Sequence, residues 1–307
     1  MPIRLSYMTV DVFTDRPFGG NPLAVFTDPQ GLDDTTMRRL ANELNLSETV
    51  FLLPPETPEG TRKVRIFTPA SELPFAGHPT VGAAVVLAQS GALPELNDHG
   101  LADIVFEEGV GPVRVRVERR DGGLTAATLT AARLPERVGT GVDHETLAAL
   151  LGLPVDALET RVAAGGYSAG VPFLFIPVRD AQALGRIRFD AGVWRDTFAK
   201  LAAPHIYAVT MADWRNGRTI ASRMFAPAMG IVEDPATGGA AAALAGFLSD
   251  HQTLADGTAA WTVHQGEHMG RPSTIELAVD IAAGRATAVR VGGTAVAMSE
   301  GTFVLHR

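Results

Sequence analysis

Along residues 103–118 apolar and polar positions alternate, with Ile104 and Phe106 followed by Val113, Val115 and Val117. A period of two places successive side chains on opposite faces, so this stretch predicts two strands joined by a turn over 109–112. Arg114, Arg116, Arg119 and Arg120, the densest basic cluster, read as the polar face of that hairpin. Residues 125–134 predict another strand, 275–279 with 286–291 a further hairpin, and 301–305 a closing strand. The period changes over 33–45, which reads as a short amphipathic helix capped by Asp33, and 143–151 reads the same way. Two Ala-rich stretches, 80–90 and 239–249, are apolar nearly all round. A helix without a polar face is a buried helix.

These elements recur in order. Gly20-Asn21-Pro22-Leu23-Ala24-Val25-Phe26 has a counterpart 150 residues on, Gly170-Val171-Pro172-Phe173-Leu174-Phe175-Ile176. Arg65-Ile66-Phe67-Thr68-Pro69-Ala70 matches Arg223-Met224-Phe225-Ala226-Pro227-Ala228 at an offset of 158. His78-Pro79-Thr80-Val81-Gly82-Ala83-Ala84 matches Asp234-Pro235-Ala236-Thr237-Gly238-Gly239-Ala240 at an offset of 156. Three collinear matches at about half the chain length predict two similar halves, residues 1–136 and 137–307, joined near 137–143. Each would be a sheet wrapped around its own apolar helix. The pattern does not say which half the strand over 301–307 joins.

Composition narrows the chemistry. The chain has 307 residues, enough for two domains with cores that need no covalent staples. It has no cysteine, which excludes disulfides, zinc–thiolate sites and thiol nucleophiles. A net charge of −8 without a basic stripe argues against nucleic acid as a partner but not against a small anionic substrate. Residues 1–12 include Arg4 and Asp11 and do not read as a signal peptide. No stretch is long and apolar enough for a membrane span, so a cytoplasmic protein without membrane partners is expected. No Gly-x-Ser-x-Gly elbow, phosphate-binding Gly-x₄-Gly-Lys-Ser/Thr loop or strand-linked dinucleotide fingerprint occurs.

Three groups are candidates for proton chemistry. His78 and Asp234 each precede a Pro that opens a helical stretch, placing them at or near helix N-termini. Such ends attract anions, and two of them facing across a cleft would clamp a carboxylate. Asp is a preferred cap, so plain capping is the simpler reading for Asp234; His is not, which weakens that reading for His78. Glu48 stands where the polar turn Asn45-Leu46-Ser47 runs into the apolar strand Thr49-Val50-Phe51-Leu52. It is either a solvated edge residue or, if buried, a general base. His264 and His268 have a helical ligand spacing, but Gly266 and Gly270 oppose a helix there, so no metal site is expected.

Taken together, Asn21-Pro22-Leu23-Ala24-Val25-Phe26, Asn45-Leu46-Ser47-Glu48-Thr49, Arg65-Ile66-Phe67-Thr68-Pro69, Glu72-Leu73-Pro74-Phe75-Ala76-Gly77-His78-Pro79, Ser222-Arg223-Met224-Phe225, Glu233-Asp234-Pro235-Ala236-Thr237-Gly238 and the stretch from Gln265-Gly266 to Arg271-Pro272-Ser273 resemble the PhzF-like isomerases of phenazine biosynthesis. The resemblance implies an α+β, diaminopimelate-epimerase-like fold: two similar domains, each a barrel-like, mostly antiparallel sheet around a central helix. It further implies a cofactor-independent homodimer that moves a proton within a small carboxylate, as in isomerisation of trans-2,3-dihydro-3-hydroxyanthranilate. Glu48 would be the principal proton carrier, with His78 and Asp234 assisting. Gly77, Pro79, Thr80, Thr237, Gly238, Gly239 and Ala240 would bind the substrate, largely through backbone amides. Related epimerases and racemases use two thiols at these turns; lacking cysteine, this chain must use carboxylate and imidazole. Where the family commonly has Ser after the Thr-Gly pair, this chain has Gly239. A racemase or lyase of another small acid, or a non-catalytic binding protein on the same fold, are the competing expectations.

Overall fold

The computed structural model describes residues 2–29, 31–139, 141–210 and 218–305. Met1, Thr140 in the expected joining stretch, and 306–307 at the end of the expected last strand lie outside them. The chain divides into two compact units, Met1–Ala132 with Gly292–Arg307, and Arg133–Val291.

The first unit carries strands β1 (Ile3–Val12), β2 (Asn21–Phe26), β3 (Glu48–Leu53), β4 (Arg62–Phe67), β5 (Glu72–Leu73), β6 (Leu101–Glu108), β7 (Gly111–Arg119) and β8 (Thr125–Thr130), with helices α1 (Asp34–Leu44), α2 (Gly77–Gln89) and α3 (Pro94–His99). The second carries β9 (Glu136–Val138), β10 (Gly165–Ser168), β11 (Pro172–Val178), β12 (His205–Thr210), β13 (Thr219–Ala226), β14 (Ile231–Asp234), β15 (Gly257–Gln265) and β16 (Ser273–Ala282), with α4 (His144–Leu151), α5 (Ala181–Arg186), α6 (Ala191–Thr197) and α7 (Gly238–His251). The last strand, β17 (Arg285–Leu305), begins in the second unit and from Gly292 onward belongs to the first.

In the first unit, among the described residues, eight strands form a closed ring: β1–β2–β3–β4–β6–β7–β8–β17 and back to β1. The pairs β2–β3 and β4–β6 are parallel; β1–β2, β3–β4, β6–β7, β7–β8 and β1–β17 are antiparallel. The second unit repeats the scheme: β11–β12 and β13–β15 are parallel, while β9–β10, β10–β11, β12–β13 and β15–β16 are antiparallel. Closure removes the exposed edges that an open sheet must otherwise protect.

Each sheet has an inner and an outer face. In the first unit α2 is buried from Gly77 through Ala88, so the helix lies in the core, as its uniformly apolar sequence requires. Gly82 sits where a Cβ would fall 2.6 Å from Leu23 Cδ2 and 2.7 Å from Val12 Cγ2, which lets the helix approach β1 and β2 closely. On the outer face Phe26, Phe51 and Phe67 pack with Met37, Leu40 and Ala41 of α1. In the second unit Phe247 of α7 stacks on Phe175, while Leu174, Ile176, Ile206 and Ala208 form the opposite face with residues of α4 and α5. Asp33 and Asp143 cap α1 and α4, accepting from the backbone N–H of Thr36 and Thr146.

One device appears in both units. Arg65 bonds Glu72 through Nε and Nη2, both at 2.7 Å, and lies 5.0 Å over the Phe67 ring. Arg223 bonds Glu233 through the same atoms, both at 2.8 Å, and lies 5.1 Å over Phe225. A forked guanidinium–carboxylate pair fixes two strands in register. Here it ties β4 to β5 and β13 to β14, the short strands that lead into the central helices. Among the described residues no helix is long and apolar enough to cross a membrane.

Candidate active site

In the first unit α1 ends at Asn45 in a left-handed cap, and three residues later β3 opens at Glu48. Because Phe51 lies on the outer face, alternation turns Glu48 and Val50 inward. Glu48 is 8% exposed, so the edge residue considered from sequence is a buried one. His78, the second residue of α2, is 4% exposed, and its Nε2 lies 3.3 Å from Glu48 Oε2. On the other side of the ring Asn21 Nδ2 lies 3.3 Å from His78 Nδ1, and the Ser47 hydroxyl donates to Asn21 Oδ1 at 3.1 Å. An amide nitrogen can only donate, so Nδ1 accepts and the neutral ring carries its hydrogen on Nε2, facing Glu48. Burial pushes the imidazole down to about 3, so it is neutral at physiological pH. Ser47, Asn21 and His78 form one directed hydrogen-bonded chain, and the uncharged imidazole at its end faces the Glu48 carboxyl group.

The first turn of α2 has a second buried acid beside it. Thr80 Oγ1 lies 2.8 Å from Ala76 O and 2.7 Å from Oε1 of Glu108, the last residue of β6. Burial pushes Glu108 up to about 8, which keeps it protonated at neutral pH. The backbone N–H of Thr80 is bonded to Ala76 O at 3.2 Å. Thr80 is therefore engaged within the helix start rather than offering an amide, and Pro79 has none to offer. Gly77 and His78 are the backbone donors of this turn, and no side chain caps it.

In the second unit Asp234 ends β14 and is 5% exposed. The Thr237 hydroxyl donates to Asp234 Oδ2 at 2.5 Å. Gln265 fixes the turn with its whole amide: Nε2 donates to Asp234 O at 2.7 Å and to Thr237 Oγ1 at 2.9 Å, while Oε1 accepts from Thr237 N at 3.3 Å and from Tyr207 at 3.0 Å. Ser222 Oγ is 2.9 Å from the Tyr207 hydroxyl. Burial raises the Tyr207 phenol above its usual range, so it stays a donor. Helix α7 starts at Gly238 with Thr237 as N-cap and no side-chain cap; Ala241 N is the first amide bonded back, to Thr237 O. Gly238, Gly239 and Ala240 thus supply the N–H groups of its open first turn.

Both His78 and Asp234 lie near helix N-termini, as expected, and neither is the cap itself. The N-caps are Ala76 and Thr237, so His78 lies inside its helix and Asp234 three residues before its cap. His264 lies in β15 and His268 in a 3₁₀ turn after it; among the described residues no metal-binding cluster of His, Asp and Glu occurs. Reading motifs alone passed over the roles of Asn21, Ser47, Glu108, Tyr207, Ser222 and Gln265. Glu108 carried a signal, because it continues the buried alternation of Ile104 and Phe106.

The family model for phenazine biosynthesis-like proteins matches residues 10–301. An otherwise uncharacterized isomerase of Mesorhizobium japonicum is 40% identical, over 98% of this chain and 99% of its own. Trans-2,3-dihydro-3-hydroxyanthranilate isomerase of Pseudomonas aeruginosa is 36% identical, over 97% of this chain and 99% of its own. Among solved structures, a phenazine biosynthesis protein of the PhzF family from Bacillus anthracis superposes with a TM-score of 0.86 at 23% identity, covering 99% of this chain and 100% of that one.

Proposed function

We propose that this chain, which belongs to the phenazine biosynthesis-like PhzF family over nearly its whole length and is an isomerase of that family, moves a proton within a small cyclic carboxylate of the dihydro-hydroxyanthranilate type. The observation that carries this reading is the buried Glu48–His78 contact of 3.3 Å. A carboxylate withdrawn from water next to an uncharged donor can take a proton from carbon and return it elsewhere on the same molecule. His78 orients the carboxylate through its Nε2–H without neutralising it. Asp234, aimed by Thr237, is assigned to hold a cationic or donor group of the substrate. The amides of Gly77 and His78, and those of Gly238, Gly239 and Ala240, are assigned to its anionic and carbonyl oxygens. No step in this scheme calls on a cofactor.

The test is incorporation of solvent deuterium into trans-2,3-dihydro-3-hydroxyanthranilate during turnover. Glu48→Gln is expected to lower the rate about 10²–10⁴-fold, the usual worth of a positioned acid–base group. Equal rates would remove Glu48 from the reaction, and no turnover by wild type would remove this substrate. We propose in addition that the enzyme works in the cytoplasm as a homodimer. Light scattering is expected to give twice the chain mass of 32.4 kDa, and a monomer at micromolar concentration would contradict it.

A further inference from the structure

The topology of the two units assigns a second-unit counterpart to Glu48. In the first unit Leu23, directly after the Pro of β2, pairs with Glu48, the first residue of the parallel strand β3. In the second unit Phe173, directly after the Pro of β11, pairs with His205, the first residue of the parallel strand β12. The offset from Glu48 to His205 is 157, within the range of 150 to 158 set by the repeated blocks. The face agrees as well. Ile206 and Ala208 belong to the outer cluster, so alternation turns His205 and Tyr207 inward, as it turns Glu48.

His205 is 6% exposed, and its Nδ1 has no hydrogen-bond partner. Leaving a buried polar atom unpaired forfeits its hydration without a replacement, and native structures seldom carry one without use. Its ring lies 5.7 Å from that of Phe173. Phe173 in turn borders the open space over Gly239: a Cβ built on Gly239 would meet only Phe173 Cε2, at 4.0 Å. An unpaired imidazole nitrogen, an aromatic ring and a bare Cα in the first turn of α7 thus stand in sequence. Burial holds the imidazole at about 4, so it meets a ligand uncharged.

We propose that His205 is a substrate-contacting, specificity-determining residue, a neutral hydrogen-bonding group at the position of the second unit that corresponds in topology to Glu48 of the first. Its ligand is a hydroxyl, amine or carbonyl on a flat ring that lies against Phe173, in the space Gly239 leaves. This rests on the reading of the chain as an isomerase of a cyclic carboxylate.

The probe is 3-hydroxyanthranilate, the aromatic analogue of the proposed substrate. Protein labelled with ¹⁵N-histidine is titrated with it, the His205 signals being identified by their loss in His205→Leu. Saturation is expected to shift the His205 nitrogen resonances. His205→Leu is expected to weaken probe binding about tenfold and His205→Asn, which retains a polar side chain, less than that. Thermal unfolding of both variants confirms that they fold. A His205 signal unmoved at saturation, equal affinity of wild type and His205→Leu, or no binding of the probe would each overturn the inference. The parent reading fails separately. A shifted His205 signal without turnover of the dihydro compound removes the reaction assigned but keeps the contact. Turnover lost in Glu48→Gln with His205 unmoved removes the contact but keeps the reaction.

Discussion

Thr80 has one hydroxyl hydrogen and two oxygen neighbours, Ala76 O at 2.8 Å and Glu108 Oε1 at 2.7 Å. The Ala76 carbonyl also accepts from the Thr80 backbone N–H at 3.2 Å, so the threonine hydroxyl can donate to Glu108 Oε1 without leaving that carbonyl unpaired. Burial, outweighing that hydrogen bond, keeps Glu108 a neutral carboxylic acid at physiological pH. Its ordinary value is 4.5 and its folded value about 8, so the folded protein holds a proton that the unfolded chain releases between those limits. Stability from this group is full below pH 4.5 and falls as pH rises toward 8. Glu108→Gln keeps a carbonyl oxygen to accept from Thr80 and has no proton to lose. Urea unfolding at pH 5, 7 and 9 is expected to show near-equal stability at pH 5 and a variant more stable at pH 9 by an amount on the order of a few kcal/mol. Parallel pH profiles of the two proteins would show that Glu108 is ionised in the fold. The amino-acid pattern held this residue in view without revealing it. Counting apolar positions over 103–118 finds Ile104 and Phe106 and steps over the carboxylate that shares their face.

The central helices were the most legible elements, because a run such as Val81 to Ala88 has no polar side to give water. Helices α3, α5 and α6 were not foreseen. Each has six or seven residues, too few for the 3.6-residue period to repeat twice. The caps divide in the same way. Asp33 and Asp143 cap their helices as expected, since a short acceptor beside an amphipathic run is a local signal. Ala76 and Thr237 begin the central helices without side-chain caps, and only the fold shows that those first turns are left open. Packing around α2 makes its own demand. At Gly82 an added methyl meets Leu23 and Val12 at 2.6 and 2.7 Å. Gly82→Ala gains helix propensity of up to about 1 kcal/mol, but overpacking costs about 1–3 kcal/mol. A net loss of stability is expected in thermal unfolding; a gain would mean that β1 and β2 can yield.

At the scale of the molecule the repeat was legible from three short blocks; strand pairing and the central helix recur as it implied, and the structure adds the Arg–Glu fork. The fate of the C-terminus was not legible, because a strand's partner is chosen by register with distant chain. Residues 292–305 belong to the first unit, where β17 pairs with β1 from Ile3↔Leu305 to Val12↔Ala295. A split at 136/137 therefore describes sequence halves but not the compact units. Deleting 292–305 is expected to open the first ring and abolish cooperative unfolding of that unit, read by hydrogen exchange at β1 and β8. Protection there unchanged by the deletion would show that seven strands suffice.

That shared strand also sets a schedule. A ribosome delivers β1 some three hundred residues before the strand that pairs with it. At about 5–20 residues per second, the first barrel waits on the order of ten seconds or more with one edge of β1 and one edge of β8 unpaired while the second is being made. Nascent chains of this protein therefore carry two exposed strand edges until β17 has been made, and their need for protection against edge pairing lasts at least that long.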